Sequence, residues 1–125
     1  MAGMVVKGKW FFERAAYWKN KKLSIDTVGA SPNDNPEVDE FLNSLLSDEQ
    51  RMLIKAFYCQ GGINYDKMNF TSRTAMKMFA NSLKNNKKSS EDDRKKGEMI
   101  SKSYDISDKR FIDPVVDYVR GKDNE

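Results

Sequence analysis

The sequence predicts a mainly α fold: one compact multi-helix domain spanning residues 1–125, with room for a short β element near the N-terminus. Three observations point there. Two stretches open with full helix-start signals, Asn35 before Pro36 and Ser47 three residues before Gln50. Apolar residues recur at helical spacing, as in Val38, Phe41, Leu42, Leu45 and Leu46. Only Leu23-Ser24-Ile25-Asp26-Thr27-Val28 alternates as a half-buried strand does.

Composition sets the limits. At 125 residues the chain has the size of one domain, and a chain of that size buries roughly two-thirds of its unfolded surface. Apolar residues make up 38% and charged residues 33%, so a modest core under a charged surface is expected. Aromatics at 11% argue against disorder. Cys59 is the single cysteine, which excludes an internal disulfide and a cysteine-based zinc site. No signal-peptide pattern and no long apolar run are present, so no membrane span is expected. The expected compartment is intracellular and reducing, cytoplasm or nucleus.

The elements follow in order. Trp10, Phe11, Ala15 and Trp18 fit a helix over 8–21, with an aromatic strand as the alternative. The strand at 23–28 needs a partner, either Val5-Val6 or another subunit. The run 29–35 is a loop of Gly, Ser, Pro, Asn and Asp. A helix over 36–46 has Glu37, Asp39 and Glu40 at the positive end of its dipole. A second over 48–60 follows Ser47, buries Leu53, Ala56 and Phe57, and stops at Gly61-Gly62. A third over 71–84 is capped by Thr71 or Ser72. Beyond a polar breaker come helices over about 89–103 and 107–120. Gly97 weakens the first by about 1 kcal/mol, and Pro114 kinks or restarts the second. Residues 1–8 and 121–125 are expected to be flexible.

The charge is organised in blocks. Residues 1–22 carry +5, 23–49 carry −7, 50–88 carry +7 and 89–125 carry −2, for a net +3. On the helix at 71–84, Ala75, Met76, Phe79, Ala80 and Leu83 share one face, the expected core side. Leu53 and Phe57 would brace it against Phe79 and Leu83. Arg73, Lys77, Asn81 and Lys84 fall on roughly the opposite side. Arginine can grip a guanine edge, asparagine can pair with adenine, and lysine neutralises phosphate. Ordinary solvated surface is the competing explanation.

The two helices around the Gly-Gly stop form a helix-turn-helix-like core. Leu46-Ser47-Asp48-Glu49-Gln50-Arg51, Gly61-Gly62, Asn64-Tyr65 and Thr71-Ser72-Arg73-Thr74-Ala75 resemble the helix-turn-helix superfamily, and more loosely regulators and sigma-factor-like domains. The resemblance covers 46–84. It implies that Ser72, Arg73, Thr74 and Lys77 open a recognition helix. The expected function is that of a non-enzymatic nucleic-acid-binding protein, a small regulator or packaging factor. Its site residues are Ser72, Arg73, Thr74, Lys77, Asn81, Lys84, Lys87 and Lys88, with DNA or RNA as partner. The rival expectation is a protein–protein adaptor or assembly subunit, a homo-oligomer included, joined through the acidic segment 23–49 and the basic segment 50–88.

Other chemistry is thin. No histidine is present to act as a base near neutral pH. The carboxylate groups Glu37/Asp39/Glu40 and Glu91/Asp92/Asp93 sit at expected helix starts, where the dipole accounts for them. No catalytic role, metal or cofactor is therefore expected. Trp10 and Trp18 can stack on unpaired bases beside Lys7, Lys9, Lys19, Lys21 and Lys22, but core burial of both is the favoured expectation.

Overall fold

The computed structural model describes residues 8–122. Helices take 57% and strands 16% of that length, with two small sheets, so the chain is mixed α and β rather than mainly α. The chain divides into two compact units, Met1–Gln60 with Asp108–Glu125, and Gly61–Ser107. The second is therefore inserted in the sequence of the first.

The first unit begins with α1 (Gly8–Arg14) and a 3₁₀ turn, Ala15–Trp18. The expected 8–21 helix thus tightens and stops early, and Val5-Val6 lies outside the described residues. Strand β1 (Leu23–Gly29) leads into α2 (Pro36–Leu45), whose cap is Asn35, its side chain accepting from the Glu37 amide at 3.0 Å. Ser47 and Gln50 form the expected capping box, but the helix it starts, α3 (Asp48–Arg51), lasts one turn. The chain then enters β2 (Ile54–Gln60). The expected helix over 48–60 is corrected here, and with it the mainly α, helix-turn-helix-like core. There is no long helix to brace the one that follows.

The reason lies in β1. All seven of its residues pair in parallel with β2, from Leu23 opposite Ile54 to Gly29 opposite Gln60. The missing partner strand is thus inside the chain. A parallel strand covered on both faces reads as a continuous apolar run, which spacing alone does not separate from a buried helix. Ile54, Phe57 and Tyr58 are β-formers, and pairing decides for the strand.

One sheet face carries Leu23, Ile54, Ile25 and Ala56. Ala15, Leu46, Leu45, Phe11, Phe12 and Trp18 close over it. The opposite face carries Phe57, whose ring lies 5.7 Å from that of Tyr118 on α6 (Asp113–Arg120). The Tyr118 hydroxyl donates to the Leu23 carbonyl at 3.1 Å, and Lys22 Nζ donates to the Tyr118 carbonyl at 2.7 Å. A 3₁₀ turn, Lys109–Ile112, precedes α6, and Pro114 sits in the first turn of α6, so the proline restarts the helix. Gly121, at φ +75°, closes it in the left-handed conformation that glycine adopts freely. Trp10 corrects a second expectation: it is 54% exposed, not core.

The loop after β1 is held by an amide that imitates a strand. Asn33 Nδ2 donates to the Tyr58 carbonyl at 3.2 Å, and Asn33 Oδ1 accepts from the Gln60 amide at 2.9 Å. Gln60 Oε1 accepts from the Asn33 amide at 3.0 Å in return. The Tyr58 hydroxyl, its pKa raised by burial, donates to the Ser31 carbonyl at 2.8 Å.

The second unit opens with β3 (Gly62–Ile63), antiparallel to β4 (Tyr104–Asp105). Gly62 is therefore no helix stop. A Cβ there would clash with the Tyr104 carbonyl oxygen, so glycine permits the close approach of two backbones. Between these strands run a 3₁₀ turn (Tyr65–Lys67), α4 (Phe70–Asn85) and α5 (Glu91–Ile100).

Replacing Asn33 by alanine removes both half-buried hydrogen bonds from its side chain to the β2 backbone. The Asn33→Ala chain is expected to lose about 2 kcal/mol of stability, measured by urea denaturation.

Candidate nucleic-acid interface

Helix α4 is capped by Asn69, whose side chain accepts from the Ser72 amide at 2.8 Å. Thr71 and Ser72 therefore follow the cap rather than form it, and one free amide of the first turn is already occupied.

The buried stripe of α4 is not the expected one. Ala80 is 1% exposed and Met76 and Leu83 are half-buried, but Ala75 is exposed and Phe79 is 46% exposed. Arg73 and Lys84 are half-buried instead. The inward face has rotated by about 60° toward the cations, at 3.6 residues per turn. Gly97 on α5 accounts for the rotation. A Cβ there would sit 2.8 Å from Lys84 Cγ, 2.9 Å from the Ala80 carbonyl oxygen and 2.9 Å from Leu83 Cβ. The bare glycine lets α5 press against the Ala80–Leu83–Lys84 side of α4. The residue read as a weakness in α5 is the helix contact.

Arg73 points back into the protein. Its Nε donates to the Tyr65 carbonyl at 2.9 Å, and a terminal nitrogen donates to the Met68 carbonyl at 3.2 Å and reaches the Asp66 carbonyl at 3.5 Å. These are the carbonyls at the end of the Tyr65–Lys67 turn, so the guanidinium caps that turn. Tyr65 is the hub. Its buried ring lies under Lys77 Nζ at 5.6 Å, its amide donates to Ser103 Oγ at 3.0 Å, and its hydroxyl donates to the Ile100 carbonyl. Burial raises the Tyr65 pKa.

The predicted site residues divide accordingly. Lys77, Asn81 and Lys84 follow one flank of α4 at i, i+4 and i+7. Exposed Lys87 and Lys88 continue past its end, where Asn86 Oδ1 accepts from the Lys88 amide at 3.0 Å. Ser72 is exposed but lies off this flank, Thr74 is exposed at its edge beside Asn81, and Arg73 is withdrawn from it. Reading by residue type missed the Arg73 role, because a cation beside a run of turn carbonyls looks the same in sequence as one facing solvent. The signal available was Asn64, whose side chain accepts from the Asp66 and Lys67 amides and so marks the turn.

Among the described residues, none of Lys77, Lys84, Lys87 or Lys88 enters an ion pair. The unit Gly61–Ser107 carries ten Lys/Arg and six Asp/Glu, a net +4. Three of its six acids stand at the start of α5, where Ser90 and Asp93 form a capping box. The Asp93 carboxylate accepts from the Ser90 amide at 3.0 Å, and Ser90 Oγ accepts from the Asp93 amide at 3.1 Å. Hydrogen bonds from Ser90, with a smaller pull from Lys96, hold the Asp93 carboxyl below its ordinary pKa.

No protein-family model, curated protein or solved structure matches this chain. Among the described residues, no three His, Cys, Asp or Glu gather as a metal site, and no helix is long and apolar enough to cross a membrane.

Arg73→Ala is expected to destabilise the protein by about 1.5–3 kcal/mol, the range for hydrogen bonds to a charged group. Amide exchange in 65–69 should speed up with it. The Asp93 pKa is lowered on folding, so its contribution is present above the unfolded value of about 3.9 and is lost as pH falls through the folded value. In Ser90→Ala, NMR carboxyl titration should show Asp93 moving back up toward that unfolded value.

Proposed function

We propose that the chain is a non-enzymatic nucleic-acid-binding protein whose unit Gly61–Ser107 contacts phosphate. The observation that carries this reading is the cationic flank: Lys77 and Lys84 along α4, extended by Lys87 and Lys88, with none of them neutralised by an acid among the described residues. Lys77 and Lys84 lie about 10.5 Å apart along the helix axis, at 1.5 Å per residue. Such a row suits a backbone contact of low sequence preference, with counterion release as its driving force. Base reading by arginine is not part of the proposal, because the Arg73 donors are engaged by carbonyls.

A second reading has its own support. The outward side of α4 holds Thr71, Thr74, Ala75, Met78, Ser82 and Asn85 and carries no charge. Met78 is 67% exposed there, with Phe79 at its edge at 46%. In a chain with 33% charged residues, an uncharged helix face with exposed apolar groups suits a protein partner, a second copy included. The acidic Glu37, Asp39 and Glu40 of α2 would supply charge for such an association.

Salt titration separates the two. Binding to duplex or single-stranded probes should fall linearly on a log–log plot. The double variant Lys87→Ala, Lys88→Ala should lower the slope by about 2 while keeping its circular dichroism spectrum. No binding to either probe at about 50 mM salt, together with concentration-dependent sedimentation, would favour the protein partner.

A further inference from the structure

We infer that the first unit holds a second, separate site, an aromatic and cationic platform at residues 9–22 that stacks unpaired bases of a single-stranded nucleic acid. Two large rings stand out into solvent there: Tyr17 is 84% and Trp10 54% exposed. Trp10 is fixed from behind. Trp10 packs on Trp18 with ring centres 5.7 Å apart, Trp18 on Phe11 at 6.3 Å, and Phe11, Phe12 and Trp18 rest on the core. Arg14 lies over the Trp10 ring at 4.7 Å, held by a 3.3 Å hydrogen bond to the Trp10 carbonyl. The guanidinium thus sits over an indole, and a guanidinium plane is a surface of the kind on which bases stack.

Glu13, Arg14, Tyr17 and Trp18 line an open cleft of about 570 Å³, within the usual range for ligand sites. Residues 9–22 carry five Lys/Arg and one acid. The acid, Glu13, is 3.7 Å from Lys9, and Lys22 is tied to Tyr118. Lys19 and Lys21 are exposed and enter no ion pair among the described residues. Exposed aromatic rings beside unneutralised lysines are the two parts of non-specific single-strand binding. A membrane surface fits less well. The greasiest rings, Phe11 and Phe12, turn inward, and insertion of Trp10 would carry the Arg14 charge with it.

The test uses the full chain. Both tryptophans of the protein are in this platform, so tryptophan emission reports on it alone. Titration with an oligothymidylate of roughly 12 nucleotides should quench that emission. Tyr17→Ala should weaken binding at least about fivefold, the low end of base–aromatic stacking, and Tyr17→Phe should bind like the parent. The exposure of Tyr17 leaves the fold intact, which circular dichroism checks. Equal quenching by blunt duplex or inorganic polyphosphate would overturn the site, as would unchanged affinity in Tyr17→Ala. A blue shift with phosphatidylserine vesicles and none with the oligonucleotide would overturn it in favour of a membrane surface. Quenching retained in the Lys87→Ala, Lys88→Ala variant is expected here and keeps this site distinct from the lysine row of α4.

Discussion

The parallel pairing of Leu23–Gly29 with Ile54–Gln60 is the constraint on which the first unit depends. Two parallel strands cannot be joined by a tight turn, so the chain must cross over, and α2 and α3 are that crossover. A sheet of two strands also has too little area to protect itself. Its two faces need separate covers. One is supplied by Ala15, Leu46 and the aromatics of the N-terminal turn, the other by Tyr118. The cover that arrives last in the chain is the one tied by polar bonds, through the Tyr118 hydroxyl and its carbonyl.

Much of the local structure was legible. The caps at Asn35 and Ser47, the strand at Leu23 and the restart at Pro114 follow from side chains acting on their own neighbours along the chain. Those signals are local, and local chemistry survives folding. What failed was decided at a distance. Ile54–Gln60 becomes a strand because Leu23–Gly29 is waiting for it, and Gly62 opens a strand because Tyr104 approaches its backbone. Two consecutive glycines mark a helix end and a close backbone approach equally well.

The cationic helix teaches the same lesson at the level of faces. Hydrophobicity placed the inward side of α4 through Ala75 and Phe79, but packing density placed it through Ala80, Leu83 and the stem of Lys84. A missing side chain on α5 outweighed two apolar side chains on α4, because close backbone approach gathers many small dispersion contacts. The half-buried lysine suits the contact, since a lysine's aliphatic stem can cover apolar surface. Of the expected row, Lys77 and Asn81 are exposed, Lys84 is half-buried against α5, and Arg73 turns to main-chain carbonyls, partners with no signature in residue type.

The insertion of one unit within the other has a kinetic consequence. Cys59 Sγ donates to the Phe111 carbonyl at 3.3 Å across 52 residues of sequence, just outside the two stems of Gly61–Ser107. Joining those stems while the intervening chain is a random coil costs an entropy that grows with the logarithm of loop length. The α4–α5 hairpin is made of near-sequence contacts and belongs to the class that forms early. Once folded, it replaces a long floppy tether by a short one. An insert of this kind, if formed first, leaves a shorter loop to close before Phe111 can reach Cys59.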